Sequence, residues 1–358
     1  MSTPRTSRLV AAVAAALLVV VAVAVTLVVV TTRGTEPALR TPGTPPPPAA
    51  DGLGSDARIT VAGDRILRDG QPWWFAGYNS FVWAGECGYD DERMKAEQVD
   101  AWFASMRRDG HGAVRLFFFT GWDVERLDAA VAAAKENDLY LIITLDDAIA
   151  GCGETGKDED WFADDAERDA YRDHMVALLE RYRGENTIAW FEYFNEPDPD
   201  QPLRPFVDEM GAIAEGIDPD RLWSTGTIAP YDGGPVSFRT LNESPHVDIA
   251  SLHEYDGDEI ESNHGPDARQ ESAGKPVIVG EFGLNSSPDG ADCEYSHAER
   301  ADRIAAKLEA YTTIPGYVGA LAWAWQPGGD DACEYGNLDA DELAQDVLRT
   351  YRPPTDGS

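Results

Sequence analysis

The sequence has few basic residues. Lysine and arginine number 29 against 64 aspartates and glutamates, which gives a formal net charge of −35 at pH 7. A surface with this charge repels a phosphate backbone, so we exclude nucleic acid as a partner. Hydrophobic residues make up 43% and aromatic residues 10% of the 358 residues, too many for a disordered acidic chain. The bulk of the chain is therefore predicted to fold.

Cysteine is also scarce. The chain has four: Cys87, Cys152, Cys293 and Cys333. None has the close paired spacing of a zinc site, so we expect no cysteine-bound metal. An even number of cysteines is typical of disulfides in an oxidising compartment, and two bridges are predicted.

Residues 9–30 are unlike the rest of the chain. They form an uncharged run that is apolar except for Thr26, and as a helix rising ~1.5 Å per residue it would cross a ~30 Å hydrocarbon layer. The run is longer than the ~7 to 15 apolar residues of a cleaved signal peptide, and no convincing cleavage site follows it. We predict an uncleaved transmembrane anchor, with secretion after signal cleavage as the alternative.

The flanking segments set the predicted topology. Arg5 and Arg8 precede the anchor, which places residues 1–8 in the cytoplasm by the positive-inside rule. Residues 31–55 contain Pro45–Pro48 and no apolar periodicity, as expected of an extended linker. Residues 56–358 then form a domain outside the cell, held at the cell membrane by a single span.

From Arg58 onward, short apolar runs alternate with amphipathic segments, which is typical of α/β proteins. A hairpin is predicted first, with a strand at 58–67, a turn at Asp69-Gly70 and a return strand from Trp73. Eight strands are predicted at 73–79, 113–119, 140–146, 188–195, 221–227, 248–253, 276–281 and 318–325. Helices are predicted at 94–108, 124–137, 165–182, 203–217, 297–311 and 340–351, whereas the connections after strands five and six are less clearly helical.

Eight β/α units in roughly 300 residues, with no second linker, predict a single (β/α)8 TIM barrel. A doubly wound sheet is the alternative. It would carry a glycine-rich phosphate loop after the first strand, where Gly77-Tyr78-Asn79 stands instead.

Catalytic groups of such barrels come from the C-terminal ends of the strands. The fourth strand leads into Asn195-Glu196-Pro197, and the seventh ends at Glu281. These strands lie across the barrel from each other, so the two carboxylates can face one another. Two facing carboxylates are what the cleavage of a glycosidic bond needs.

On these motifs the chain resembles glycoside hydrolase family 5, the cellulase and β-mannanase type of barrel. The matching segments are 192–197, the run 275–283, His253-Glu254-Tyr255, Arg115 on strand two, and Trp323 with Trp325 on strand eight. The resemblance implies that Glu196 is the acid/base and Glu281 the nucleophile of a retaining enzyme. It also implies that Asn195 binds the 2-hydroxyl of the sugar being cleaved.

Further residues have expected supporting roles. Arg115 would hold Glu281 ionised, although an ion pair with Glu192 is the alternative. Tyr255 would donate to Glu281, and His253 would lie beside Glu196 or the substrate unless it is a core histidine. Trp323 and Trp325 alternate onto one face, where the family places one tryptophan under the sugar. Asn79, at the end of strand one, is also expected to bind the substrate or support the site.

Other residues near the strand ends are less clear. Trp83, Trp122 and Trp161 could line outer sugar subsites or pack in the core. Glu254 and Asp256 flank the strand-six motif and are expected to face solvent.

The expected substrate is a polysaccharide or oligosaccharide with β-1,4 links. The segment 142–147 lacks the histidine that many family 5 cellulases carry, and the segment 74–80 resembles the mannanase branch. We therefore favour an endo-β-mannanase, with a β-1,4-glucanase as the alternative and a non-catalytic polysaccharide-binding barrel as the competing class. No metal or organic cofactor is required, and a monomer is expected.

All four cysteines follow predicted strand ends, on the catalytic face. Strands seven and eight are neighbours in a closed barrel, so Cys293 is expected to pair with Cys333. Cys87 would then pair with Cys152, across the loop after strand two.

Overall fold

A computed structural model describes residues 55–84, 94–109, 112–152, 155–199, 202–228, 234–255, 265–291, 293–326 and 333–352. The predicted cytoplasmic segment, anchor and nearly all of the linker lie outside these residues, so they stay predictions. Within the described ranges, no helix is both long enough and apolar enough to cross a membrane.

Three short antiparallel strands precede the barrel: β1 (Ile59–Ala62), β2 (Arg65–Arg68) and β3 (Gln71–Pro72). The prediction of one strand over 58–67 was wrong, because the chain reverses at Gly63, whose φ is 62°. Asp69 and Gly70 do form a turn with positive φ at both residues, the geometry of a two-residue hairpin loop. That turn joins β2 to β3.

Eight parallel strands form the barrel. They are β4 (Phe75–Ser80), β5 (Ala113–Phe117), β6 (Tyr140–Thr144), β7 (Ile188–Glu192), β8 (Leu222–Ser224), β9 (Ala250–Glu254), β10 (Val277–Phe282) and β13 (Tyr317–Ala322). Their order is β8-β7-β6-β5-β4-β13-β10-β9. A β-bridge between Ser224 and Ile249 joins the two end strands, so the barrel is nearly closed and the predicted fold is confirmed. Two short strands, β11 (Ser286–Ser287) and β12 (Tyr295–Ser296), pair in the connection after β10.

Helices surround the barrel strands. The described residues contain α1 (Ala96–Asp109), α2 (Val124–Glu136), α3 (Glu159–Ala163), α4 (Asp165–Arg181), α5 (Leu203–Ile217), α6 (Gly234–Asn242), α7 (Gly265–Gln270), α8 (His297–Thr313) and α9 (Glu342–Thr350). The six predicted helices are confirmed to within two residues at each end. Helices α6 and α7 occupy the two connections that the sequence left unclear, and α3 was not predicted.

Every residue of β5 is buried, and its two faces pack differently. Val114 and Leu116 belong to the outer core, together with helix residues such as Phe103. Ala113 belongs to the inner core, which Ile66 of the hairpin joins. Apolar side chains thus fill the N-terminal end of the barrel, and polar side chains occupy its C-terminal half.

Candidate active site

Arg115 lies at the centre of the polar interior and is fully buried. Its Nε donates to Glu192 Oε1 at 2.6 Å, and its Nη1 donates to Glu281 Oε1 at 2.5 Å. Further bonds run from Nη1 to Asn79 Oδ1 and from Nη2 to Asn195 Oδ1. Burial lowers the pKa of Arg115, but the charges of Glu192 and Glu281 outweigh it and raise that pKa. Both expected partners of Arg115 are therefore present at once.

Glu281 ends the barrel strand β10 and is buried. Arg115 donates to its Oε1, and the Tyr255 hydroxyl donates to its Oε2 at 2.6 Å. Burial raises the pKa of Glu281 against the charges of His253 and Arg115 and the hydrogen bond from Tyr255. Burial and the charge of Glu281 raise the pKa of Tyr255 well above its usual value, so its hydroxyl keeps the proton. With a donor on each oxygen, Glu281 is arranged as a carboxylate.

Glu196 follows β7 in a left-handed backbone conformation, with a φ of 51°. Its N–H donates to Gly226 O at 2.9 Å. A Cβ on Gly226 would lie 2.0 Å from Phe194 O, and the φ of Gly226 is 71°. A glycine at 226 is therefore needed beside Glu196, and left-handed conformations of other residues are often found at functional sites.

His253 joins the two facing glutamates. Its Nδ1 lies 2.9 Å from Glu196 Oε1 and 3.4 Å from Glu281 Oε2. Burial raises the pKa of Glu196, but the hydrogen bond and charge of His253, aided by Arg115, lower it below its ordinary value. His253 is buried, yet it is part of the site rather than of the apolar core.

One ligand-type atom from each of Glu196, His253 and Glu281 lies within 4.8 Å of the other two. A metal ion could be held by three atoms at this spacing. Two carboxylates so close can also act on opposite sides of one bond. Retaining glycosidases have carboxyl groups ~5 to 5.5 Å apart, and inverting ones ~6.5 to 9.5 Å.

The two asparagines differ in accessibility. Asn79 is 1% exposed, and its Nδ2 donates to three carbonyl oxygens, the nearest being Gly280 O at 3.0 Å. It therefore holds Arg115 and β10 rather than a substrate. Asn195 is 6% exposed and donates from Nδ2 to Asp147 Oδ1 at 3.0 Å. Asp147, a site residue that the sequence analysis missed, thus orients Asn195 beside Glu196.

The sequence model of the family described as cellulase (glycosyl hydrolase family 5) matches residues 69–329. This chain belongs to glycoside hydrolase family 5. Membership makes it an O-glycoside hydrolase, in agreement with the paired glutamates described above.

The chain is also similar to named members of the family. A mannan endo-1,4-beta-mannosidase 2 of Oryza sativa subsp. japonica is 25% identical over 351 residues, covering 76% of this chain and 77% of that protein. A probable mannan endo-1,4-beta-mannosidase A of Aspergillus niger is 23% identical over 291 residues, which cover 64% of this chain and 73% of the Aspergillus protein. The solved endo-1,4-beta-mannanase of Rhizomucor miehei has a TM-score of 0.64 at 18% identity, over 82% of this chain and 98% of that one. This structural likeness shows the shared barrel.

Trp323 and Trp325 do not share an environment. The Trp323 ring stacks on Phe81, with centroids 5.2 Å and planes 4° apart, and lies 5.9 Å from Phe117. Trp325 packs instead against Tyr78 and Trp102 of the outer core. The prediction that both face one way was wrong, because β13 ends at Ala322 and strand alternation stops there. Trp323 is therefore the candidate for a sugar platform.

The remaining tryptophans pack in or against the core. Trp83 is 1% exposed and donates to Phe117 O, and Trp161 packs among aromatic rings that include Phe194. Trp122 is half-buried against Phe118 and Phe119.

Glu254 is not exposed, contrary to prediction. It is completely buried, and its Oε2 accepts hydrogen bonds from Lys307 Nζ and the Tyr311 hydroxyl. The alternation of β9 sends it outward as expected, but α8 covers that face of the strand. Asp256 lies outside the described residues.

Cys293 and Cys333 form a disulfide, as predicted. Cys152 is itself disulfide-bonded. Its predicted partner, Cys87, lies outside the described residues, so that pairing stays a prediction.

Proposed function

We propose that this chain is a retaining endo-β-1,4-mannanase that works by double displacement. The observation that carries the proposal is the spacing of Glu196 and Glu281, whose oxygens near His253 lie within 4.8 Å of each other. An approach this close between single oxygens favours the ~5 to 5.5 Å carboxyl separation of retaining enzymes over the ~6.5 to 9.5 Å of inverting ones. Carboxylates this close leave no room for an activated water between Glu281 and the sugar. Glu281 is therefore placed to attack the sugar directly.

In the first step Glu281 attacks the anomeric carbon while Glu196 protonates the glycosidic oxygen, which leaves with its half of the chain. The products of this step are a glycosyl ester on Glu281 and an ionised Glu196. In the second step Glu196 takes a proton from water, whose oxygen attacks the same carbon and releases Glu281. Two inversions give net retention.

The neighbours of each glutamate support these roles. Arg115 and Tyr255 each donate to one oxygen of Glu281, which aims the carboxylate and opposes the rise in its pKa that burial causes. A bound sugar buries Glu196 further, and burial is the influence that raises its pKa. Esterification then removes the nearby charge of Glu281, which favours ionised Glu196. Glu196 can thus give a proton in one step and accept one in the next.

Mannan is the favoured substrate. The named relatives are mannan endo-1,4-beta-mannosidases, and the end of β6 carries Asp146 and Asp147 where many family 5 cellulases have a histidine. Asp147 accepts a hydrogen bond from Asn195, and Asp146 forms a salt bridge with Lys157 at 3.2 Å. β-1,4-Glucan is the alternative substrate.

We further propose that the enzyme is a monomer held outside the cell by the anchor at 9–30. The support is the length of this uncharged run together with the four cysteines, which suit an oxidising compartment. Protease treatment of intact cells tests this placement: the domain should be released, whereas complete protection would contradict it.

The proposed activity is tested on β-mannan, glucomannan and carboxymethyl cellulose. Reducing ends should appear fastest from mannan, and early products should be a mixture of lengths because the action is endo. Glu196→Gln and Glu281→Gln should each lose several orders of magnitude in kcat. The exposed Glu309→Gln is the matched control and should retain the wild-type rate.

Three results would change the proposal. Cellulose turnover with no mannan turnover would favour the glucanase. Binding of these glycans without turnover by the folded wild type would favour the non-catalytic barrel. A Glu281→Gln variant that keeps wild-type activity would remove Glu281 as the nucleophile.

A further inference from the structure

Tyr335 lies in the connection after β13, within a segment tied to the end of the barrel. Its carbonyl oxygen accepts from Ala324 N at 3.3 Å, directly after Trp323. The preceding residue, Glu334, forms an antiparallel β-bridge with Ser286. The backbone of Tyr335 is therefore held between the chain that follows β13 and the chain that follows β10.

Arg300 of α8 also binds the segment that contains Tyr335. It is 1% exposed and donates to Asn337 Oδ1 at 2.7 Å, to Asp341 Oδ2 at 2.8 Å and to Glu334 O at 3.4 Å. The Cys293–Cys333 disulfide adds a covalent tie two residues before Tyr335. These contacts hold the chain on both sides of Tyr335 in place.

The ring of Tyr335 reaches the residue that holds the nucleophile. It packs edge-on against Tyr255, with centroids 5.4 Å apart and planes at 87°. A Cβ on Gly283 would lie 3.0 Å from Tyr255 Cε1, 3.3 Å from Tyr335 Cδ1 and 3.2 Å from Trp323 O. A side chain at 283 would therefore crowd both tyrosines and the backbone of Trp323.

We propose that Tyr335 is a positioning residue for the nucleophile, acting through Tyr255. The edge of its ring keeps the Tyr255 ring in the orientation that places its hydroxyl 2.6 Å from Glu281 Oε2. The inference rests on the proposed function, in which Glu281 attacks the sugar. Arg300 and the disulfide serve to keep Tyr335 in place.

A double-mutant cycle on kcat/KM tests this coupling. Tyr335→Ala should reduce kcat/KM about threefold to tenfold, the range expected for one lost aromatic pair. In a Tyr255→Phe background, which lacks the hydroxyl, the same change should cost less than about twofold. Tyr335→Phe keeps the ring edge and should restore the wild-type rate. Equal melting temperatures of the variants would exclude general loosening of the fold as the cause.

The following results would contradict the role proposed for Tyr335. If Tyr335→Ala costs the same factor with and without the Tyr255 hydroxyl, Tyr335 acts independently of that hydroxyl and the proposal fails. If the wild type hydrolyses no β-glycan, the proposed function fails, but a crystal structure of Tyr335→Ala still decides the inference. A Tyr255 hydroxyl that remains at hydrogen-bond distance from Glu281 in that structure would overturn it.

Discussion

Among single residues, Arg115 is central to the site because it pairs with two glutamates at once. It is bound to Glu192 and Glu281, both of which are buried. Removing one partner of a buried ion pair typically costs about 3 to 5 kcal/mol, because an unpaired charge remains. Glu192 is fixed by Thr144 and Ser224 as well. It therefore holds the guanidinium at a set position, from which Nη1 donates to Glu281.

Tyr255→Phe is predicted to move the acidic limb of kcat/KM to higher pH. The hydrogen bond from Tyr255 lowers the pKa of Glu281, so its loss raises that pKa. In the proposed mechanism Glu281 must be ionised to attack, so activity is present above its pKa and is lost as the pH falls through it. The pH dependence of kcat/KM reports this group in the free enzyme.

A tyrosine at the other end of the barrel gives the control for this shift. The Tyr140 hydroxyl donates to Ala57 O, far from the glutamates, so Tyr140→Phe should leave the acidic limb in place. An unchanged limb in Tyr255→Phe, or a move to lower pH, would mean that this hydroxyl does not tune Glu281.

Strand-end positions made Glu196, Glu281 and Tyr255 predictable, because the ends of parallel barrel strands converge. Partners of buried polar groups were harder to foresee. Asn79 proved to bind carbonyl oxygens of β10 and β13, more than 200 residues away in sequence. No local pattern encodes such a contact.

At the scale of elements, α8 is attached to the barrel by a polar contact. Lys307 and Tyr311, one helical turn apart, both donate to the buried Glu254 of β9. Periodicity predicted α8 within two residues at its end, but the pattern of β9 alone could not show that a helix covers the outer face of Glu254. Short α3 and the pair β11 and β12 were missed for a related reason. Tertiary contacts, rather than a repeat of apolar residues, define them.

Lys307→Met is predicted to reduce the free energy of unfolding by about 3 kcal/mol or more, because it leaves the Glu254 carboxylate buried without its cation. Urea unfolding under non-reducing conditions measures this loss. Changing Glu254 to Gln in the same chain removes the uncompensated charge and should recover part of the stability. A loss below about 1 kcal/mol for Lys307→Met would show that water or another group reaches the carboxylate.

At the scale of the whole molecule, the hairpin of β1 and β2 closes the N-terminal end of the barrel. Ile59 and Ile66 join the inner core, and the carbonyl oxygen of Asp56 accepts from Asn186. Ser55 is buried as well. These contacts make Ser55, Asp56 and the hairpin part of the folded domain.

A chain that begins at Ser55 is predicted to be soluble and as active as the full-length enzyme when made under oxidising conditions. The reason is that the hairpin and barrel keep all the contacts described above. Sedimentation and activity per mole of protein measure the outcome. Insoluble or inactive protein would mean that residues before Ser55 contribute to the fold.

The stereochemistry of the first product tests the paired glutamates most directly. Proton NMR during hydrolysis of a short β-1,4-manno-oligosaccharide distinguishes the anomers before they interconvert. One oxygen of Glu196 lies within 4.8 Å of one oxygen of Glu281. Direct attack by Glu281 across this gap predicts that the β-anomer forms first and that the α-anomer appears only by mutarotation. Initial release of the α-anomer would contradict attack by Glu281 and the double-displacement mechanism.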